Sequence, residues 1–294
     1  MDQAQRLREM VSGKVKKRKK VPVLKKENNT ANRPEIITIT SGKGGVGKSN
    51  TCVNLAFAMA STSKRVLIID VDIGLGNTDL LLGVYPSYSL LEYLKGKCSL
   101  EQAIMRVSEK VDIIAGGELA KDDFLLSSKE RDVISTDITE LKLYDYIIFD
   151  TGAGISSNIS YFCQSADRVL VLTTPEPTAI TDAYALMKSL YRKSKDLEIQ
   201  IIVNKVISVQ EGYETANKLI TVSQKFLLAK PTYLGYIFED SSVTKAVRKQ
   251  VPYIKEYPAS SSSKSVYQLA ASITGSKVIN SKTPLGFLSA LFKR

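Results

Sequence analysis

Short runs of consecutive apolar, largely β-branched residues recur along the chain: "IITIT" (36–40), "RVLIID" (65–70), "VDIIA" (111–115), "YIIFD" (146–150), "RVLVLT" (168–173) and "IQIIVN" (199–204). The stretches between them carry apolar residues at helical spacing. Strands that are apolar on successive positions rather than alternate ones belong to a parallel sheet covered on both faces. The pattern therefore predicts an α/β body, a doubly wound, mainly parallel sheet with helices on both faces. "TYLGYI" (232–237) adds one more strand, followed by the polar loop "EDSSV" and a helix from about Val243, and "SSSS" (260–263) precedes the last body helix. The body spans 35–275 as a single domain with two tails: a short helix at 1–12 and a basic linker at 13–34 before it, then a polar linker at 276–283 and an apolar end at 284–294.

Composition narrows the chemistry. The 294 residues include no histidine, so imidazole bases and histidine metal sites are excluded, and any chemistry falls to Asp, Glu, Lys and bound metal. Cys52, Cys98 and Cys163 are odd in number and widely spaced, which argues against a disulfide framework or a structural zinc site. With no apolar signal core and only strand-sized apolar runs, the expectation is a cytoplasmic protein in a reducing compartment. The net charge of +11 is uneven, because residues 1–33 hold eleven Lys/Arg against Asp2, Glu9 and Glu27, or +8 of the total.

The strongest motif is "SGKGGVGKS" (41–49), where Gly42, Gly47, Lys48 and Ser49 complete the pattern G-x-x-x-x-G-K-[ST] between a strand and a helix. Gly44, Gly45, Val46 and Gly47 let backbone N–H groups turn inward on phosphates, and Asn50 follows at the helix start. Asp150 closes a neighbouring strand and is placed to reach Mg²⁺ with the Ser49 hydroxyl. Asp70 and Asp72 close another strand at the carboxyl edge where open α/β sheets bind ligands. The base also leaves a trace: a guanine site of the N-K-x-D type would need a carboxylate where "VNKVI" has Ile207, so adenine is favoured. Asn204 is a candidate for reading it, and a loop Asn capping its own turn is an equal alternative. One lysine, Lys43, exceeds what a phosphate loop requires.

With Lys43 before Gly44-Gly45, this loop resembles the deviant Walker A motif of the MinD/ParA family of P-loop ATPases. "DVDIGLGNTD" (70–79) resembles the family's switch I and "DTGAGIS" (150–156) its switch II, while "TTPEPTAITDAY" (173–184) and "FEDSSVTKAV" (238–247) are similar to further family segments. The resemblance covers about residues 35–275 and implies a MinD-like P-loop NTPase fold using ATP/ADP and Mg²⁺. It implies that Lys43 reaches across an ATP-dependent homodimer to the partner's nucleotide, much as an arginine finger does. It also implies that Lys48 binds the β and γ phosphates, that Ser49 and Asp150 organise Mg²⁺ with Asp70 behind them, and that Asp72 positions or activates the attacking water. Slow hydrolysis to ADP and phosphate is the expectation.

The tails narrow the expected function. In "PLGFLSALFKR" (284–294), Leu285, Phe287, Leu288, Leu291 and Phe292 fall on one helical arc of about 160°. A terminal helix docked on its own body is one reading; the polar linker and the closing basic pair favour the anionic inner face of the cell membrane. Five such side chains at about 1.5 to 3 kcal/mol each give a gross gain of about 10 kcal/mol, against which an eleven-residue helix must still fold. One copy then binds reversibly and two copies in a dimer bind far better. Such a tail also resembles the C-terminal targeting helix of the MinD family. At the other end, Asp2, Gln3 and Ala4 in "MDQAQRLREM" resemble the "DQA" element of flagellar-number regulators of the FlhG/FleN/YlxH type, where it stimulates the partner signal-recognition-particle-type GTPase FlhF. The basic run "KVKKRKKVPVLKK" (14–26) reads as a solvated linker, with anionic lipid and nonspecific DNA as alternatives; no aromatics interleave it to stack on bases. The expected function is a membrane-cycling ATPase that sets flagellar number and placement. A ParA-type ATPase acting on DNA in chromosome or plasmid partitioning is the alternative.

Overall fold

The computed structural model describes residues 33–117 and 126–276. Asp2, Gln3, Ala4, Leu285, Phe287, Leu288, Leu291 and Phe292, and with them both predicted tail helices, lie outside the described residues.

Eight strands form one sheet: β1 (Glu35–Ser41), β2 (Val66–Asp70), β3 (Met105–Arg106), β4 (Val111–Ile114), β5 (Tyr146–Ala153), β6 (Arg168–Thr173), β7 (Ile199–Val206) and β8 (Thr232–Phe238). Their order is β3-β4-β2-β5-β1-β6-β7-β8, parallel throughout except for the antiparallel β3–β4 pair. All seven strands foreseen from apolar runs are present. The two-residue β3 was not foreseen, because "MR" carries no run of its own and is strand only through its pairing with Ile113 and Asp112.

The helices are α1 (Lys48–Ser61), α2 (Thr78–Leu82), α3 (Leu90–Leu94), α4 (Leu100–Ala103), α5 (Ser128–Thr139), α6 (Ser157–Ser165), α7 (Pro177–Lys193), α8 (Val209–Leu227), α9 (Ser241–Arg248), α10 (Tyr253–Glu256) and α11 (Ser261–Thr274). The predicted helix near Val243 begins two residues earlier, after the Asp240 cap. The serine run does not precede the last helix but opens it: the Ser260 hydroxyl caps the Ser263 N–H, and Ser261–Ser263 form the first turn.

Both faces of the sheet are sealed, as strands apolar at every position require. On one face Ile37 and Ile39 pack with Leu55 and Met59 of α1 and Val266 and Leu269 of α11. On the other, Ile36 joins Phe149 and Phe162, whose ring centroids lie 4.7 Å apart. Beside them Val169 and Ile201 meet Leu186 and Leu190 of α7. β1 lies between β5 and β6, and the chain leaves it in one direction toward β2 and in the other toward β6, β7 and β8. The crevice beyond the carboxyl ends of the strands at this reversal is where open α/β sheets bind ligands, and the loop after β1 opens into it.

Candidate nucleotide site

The helix after β1 begins without a cap. Ser127, Ser156, Ser208 and Ser260 each cap a following helix through their side chains, whereas α1 has Gly47 at that position, no side-chain cap and no acid in its first turn. Its first N–H groups therefore lack side-chain partners, and the positive end of the helix faces the crevice, an arrangement suited to phosphate. Gly47 is required here twice over. Its φ is +93°, and a Cβ would lie 2.5 Å from Asn204 Nδ2. At Gly42 the constraint is space: a Cβ would stand 2.1 Å from the Asp182 carbonyl carbon, so only glycine lets the loop sit against α7.

The charged residues expected to converge do so. Lys48 Nζ lies 2.7 Å from Asp150 Oδ1, with Lys48 almost buried and Asp150 fully so. Burial alone would lower the Lys48 pKa, but Asp150, with Asp72 and Asp70 beyond it, outweighs that and raises it. Asp150 is the neighbour of Ile39 on β1 and of Asp70 on β2. Burial pushes the Asp70 carboxyl up to about 7, with the Asp150 charge adding to the effect. Both Asp70 oxygens are engaged, Oδ1 by the Asp72 N–H at 3.0 Å and Oδ2 by the Thr78 hydroxyl at 2.8 Å. Asp70 thus organises the loop that carries Asp72. Partial burial raises the Asp72 pKa, Lys48 opposes it and Asp150 adds to it, so Asp72 belongs to the same electrostatic cluster.

Two observations bear on a divalent cation. Asp150 Oδ2 is buried without a hydrogen-bond partner, and the Ser49 hydroxyl stands 3.5 Å from the same Lys48 ammonium that pairs with Asp150. Among the described residues no group of three or more acidic or thiol side chains could cage a metal. One carboxylate, one hydroxyl and otherwise phosphate and water is the donor set magnesium prefers, so these residues fit Mg²⁺ carried in with a nucleotide.

Asn204 lies beside the phosphate loop with its amide already in use. It lines a cleft shared with Gly45, Gly47, Asn50 and Tyr253. Its Nδ2 donates to the Val46 carbonyl at 2.7 Å and its Oδ1 accepts from the Lys205 N–H. Here it ties the β7–α8 loop to the phosphate loop.

Lys43 takes no part in the Lys48–Asp150 pair. Its Nζ is 2.9 Å from both Glu176 Oε2 and Thr178 Oγ1 at the start of α7, in an exposed contact that lowers the Glu176 pKa. Glu176 and Thr178 lie within the family-like segment "TTPEPTAITDAY" (173–184), but no local pattern in the sequence names them as partners of Lys43. A charge partner 133 residues away leaves no spacing to read. The same holds for Lys205, whose ammonium meets the Gly45 carbonyl at 3.1 Å, and for Asp240 and Tyr253 in the cleft wall.

Comparison with known proteins gives the chain's relatives. Residues 34–203 match the family described as AAA domain. The chain is 36% identical over 230 residues to the antiactivator FleN of Pseudomonas aeruginosa, covering 78% of this chain and 82% of that protein. It is 35% identical over 265 residues to the flagellum site-determining protein YlxH of Helicobacter pylori, covering 88% and 89%. Among solved structures, the septum site-determining protein MinD of Pyrococcus horikoshii, complexed with Mg-ADP, superposes with a TM-score of 0.68 at 27% identity, covering 82% of this chain and 96% of that one.

Proposed function

Because this chain belongs to the MinD/ParA family of P-loop ATPases, we propose that it is an ATP-driven dimerisation switch that binds the inner face of the cell membrane and regulates flagellar number and placement. The observation that carries the switch is the division of labour between its two loop lysines. Lys48 is buried against Asp150 inside the site, while Lys43 is held outside it by Glu176 and Thr178.

Each lysine then has a defined task. Phosphate arriving at the uncapped end of α1 competes with Asp150 for the Lys48 ammonium. As Lys48 turns to the β and γ phosphates, Asp150 Oδ1 is freed beside the already unpartnered Oδ2. Ser49 and Asp150 would hold Mg²⁺ there, and the ion neutralises charge on the phosphates when bound. The phosphate loop contributes the N–H groups of Gly42, Gly44, Gly45, Val46 and Gly47. Asp72, held by Asp70, orients the attacking water. Lys43 can meet a phosphate only by leaving Glu176, and exposed ion pairs of this kind are weak enough to exchange readily. A partner's nucleotide brought to this surface offers the stronger anion. ATP binding and dimerisation thereby become one event.

The flagellar role is supported by FleN and YlxH, whose names describe an antiactivator and a flagellum site-determining protein. We assign stimulation of a FlhF-type GTPase to Asp2, Gln3 and Ala4, and membrane residence to the apolar arc Leu285, Phe287, Leu288, Leu291 and Phe292. Among the described residues no helix is long and apolar enough to cross a membrane; an amphipathic arc of this kind gives peripheral residence.

Liposome flotation tests this reading: full-length protein with ADP or with ATP and magnesium, duplex DNA as competitor, and a sample lacking residues 284–294 alongside. ATP-dependent flotation that vanishes on truncation is expected. Retention on DNA instead of liposomes would favour the partitioning ATPase.

A further inference from the structure

The α1 helix carries a buried amide that the reading above does not use. Asn54 is 1% exposed, one turn beyond Asn50. Its Nδ2 donates to the Asn50 carbonyl and to Asn50 Oδ1, both at 2.8 Å, and its Oδ1 accepts from the Ile254 N–H at 3.0 Å. Ile254 belongs to α10, 200 residues away along the chain. Both Asn50 and the adjacent Tyr253 line the cleft beside the phosphate loop.

We infer that Asn54 is a positioning residue for base recognition, which fixes the Asn50 amide so that its N–H groups, not its oxygen, face the cleft. The inference rests on the proposed nucleotide site, with the cleft taken as the place of the base. Two backbone groups of fixed polarity set the orientation. A backbone N–H only donates, so Ile254 must meet the Asn54 oxygen. A backbone carbonyl only accepts, so Asn50 C=O must meet the Asn54 NH₂. The Asn54 amide therefore has one permitted orientation. Its second N–H lies 2.8 Å from the Asn50 side chain, where only Oδ1 can accept it. Asn50 Nδ2, which has no partner among the described residues, is the end left for a ligand. An NH₂ so fixed suits a ring nitrogen with a lone pair, which every adenine nucleotide carries. The same amide joins two walls of the cleft, the start of α1 and the start of α10.

The test compares ADP with inorganic pyrophosphate, its base-free counterpart, by calorimetric titration of the full-length protein. Asn54→Asp removes the donor facing Asn50, so the Asn50 amide turns and presents oxygen to the cleft. ADP affinity is expected to fall about tenfold, the value of one lost hydrogen bond, with pyrophosphate affinity unchanged. Asn50→Ala should give the same loss, and the double variant should be no worse than Asn50→Ala alone, since both act through one group. Should Asn54→Asp fail to fold, Asn54→Ala, which leaves Asn50 free to turn, should cost about threefold in ADP affinity. Equal weakening of ADP and pyrophosphate, or full additivity with Asn50→Ala, would reduce Asn54 to a packing role and overturn the inference. A wild-type protein that binds ADP no tighter than pyrophosphate, with Asn50→Ala changing neither, would remove the base cleft itself and the inference with it.

Discussion

The buried pair at the centre of the site predicts a measurable exchange between stability and function. Lys48→Met keeps the length of the side chain but deletes its charge, leaving Asp150 fully buried with Oδ2 already unpartnered and Asp70 beside it on β2. Removing one member of a buried ion pair costs about 3 to 5 kcal/mol. The Lys48 side chain retains 9% exposure, so some water reaches the pair and the lower end, about 3 kcal/mol, applies. For a body of this size 1 kcal/mol moves the melting temperature by about 2 to 4 °C, so a fall of about 6 to 12 °C is expected. The assay is thermal unfolding of nucleotide-free protein in EDTA. Lys48→Met/Asp150→Asn, which removes both charges, should recover at least half of that fall, because the penalty lies in the uncompensated carboxylate and not in the missing lysine. A Lys48→Met protein melting within 2 °C of wild type would show that the pair contributes nothing that phosphate must displace.

Other consequences are separable. Asp72→Ala should bind ATP and dimerise but release phosphate at least tenfold more slowly; an unchanged rate in a phosphate-release assay would strip Asp72 of its role. Gly47→Ala forces a side chain into left-handed backbone and against Asn204, at a cost of about 1 to 3 kcal/mol, and should weaken ADP at least tenfold by titration. Wild-type affinity would mean the loop does not bind phosphate in this conformation. Deleting residues 1–12 should abolish stimulation of a FlhF-type GTPase while leaving ATP turnover intact, and unchanged stimulation would remove the assignment of Asp2, Gln3 and Ala4.

Much of this was legible in the sequence because the relevant signals are local. A buried parallel strand announces itself by apolar residues at consecutive positions, and a phosphate loop by glycines at fixed spacing before Lys48 and Ser49. Asp70 and Asp150 could be placed at neighbouring strand ends because each closes an apolar run, and the register aligns them directly. What escaped depends on contacts between distant segments. Nothing near Lys43 names Glu176, and nothing near Asn54 names Ile254; both contacts exist only once the sheet brings α1, α7 and α10 to one edge. The two-residue β3 is strand by pairing alone. Asn204 was read as a base contact or a cap of its own turn, and the structure adds a bond to Val46 that no local pattern contains.

In the proposed switch, ATP binding and dimerisation are coupled through Lys43. Analytical ultracentrifugation of wild-type protein and Lys43→Ala, each with ADP or with ATP and magnesium, tests it most directly. A wild-type dimer is expected with ATP only, and a Lys43→Ala protein that binds ATP yet stays monomeric. A normal ATP-dependent dimer of Lys43→Ala would contradict it.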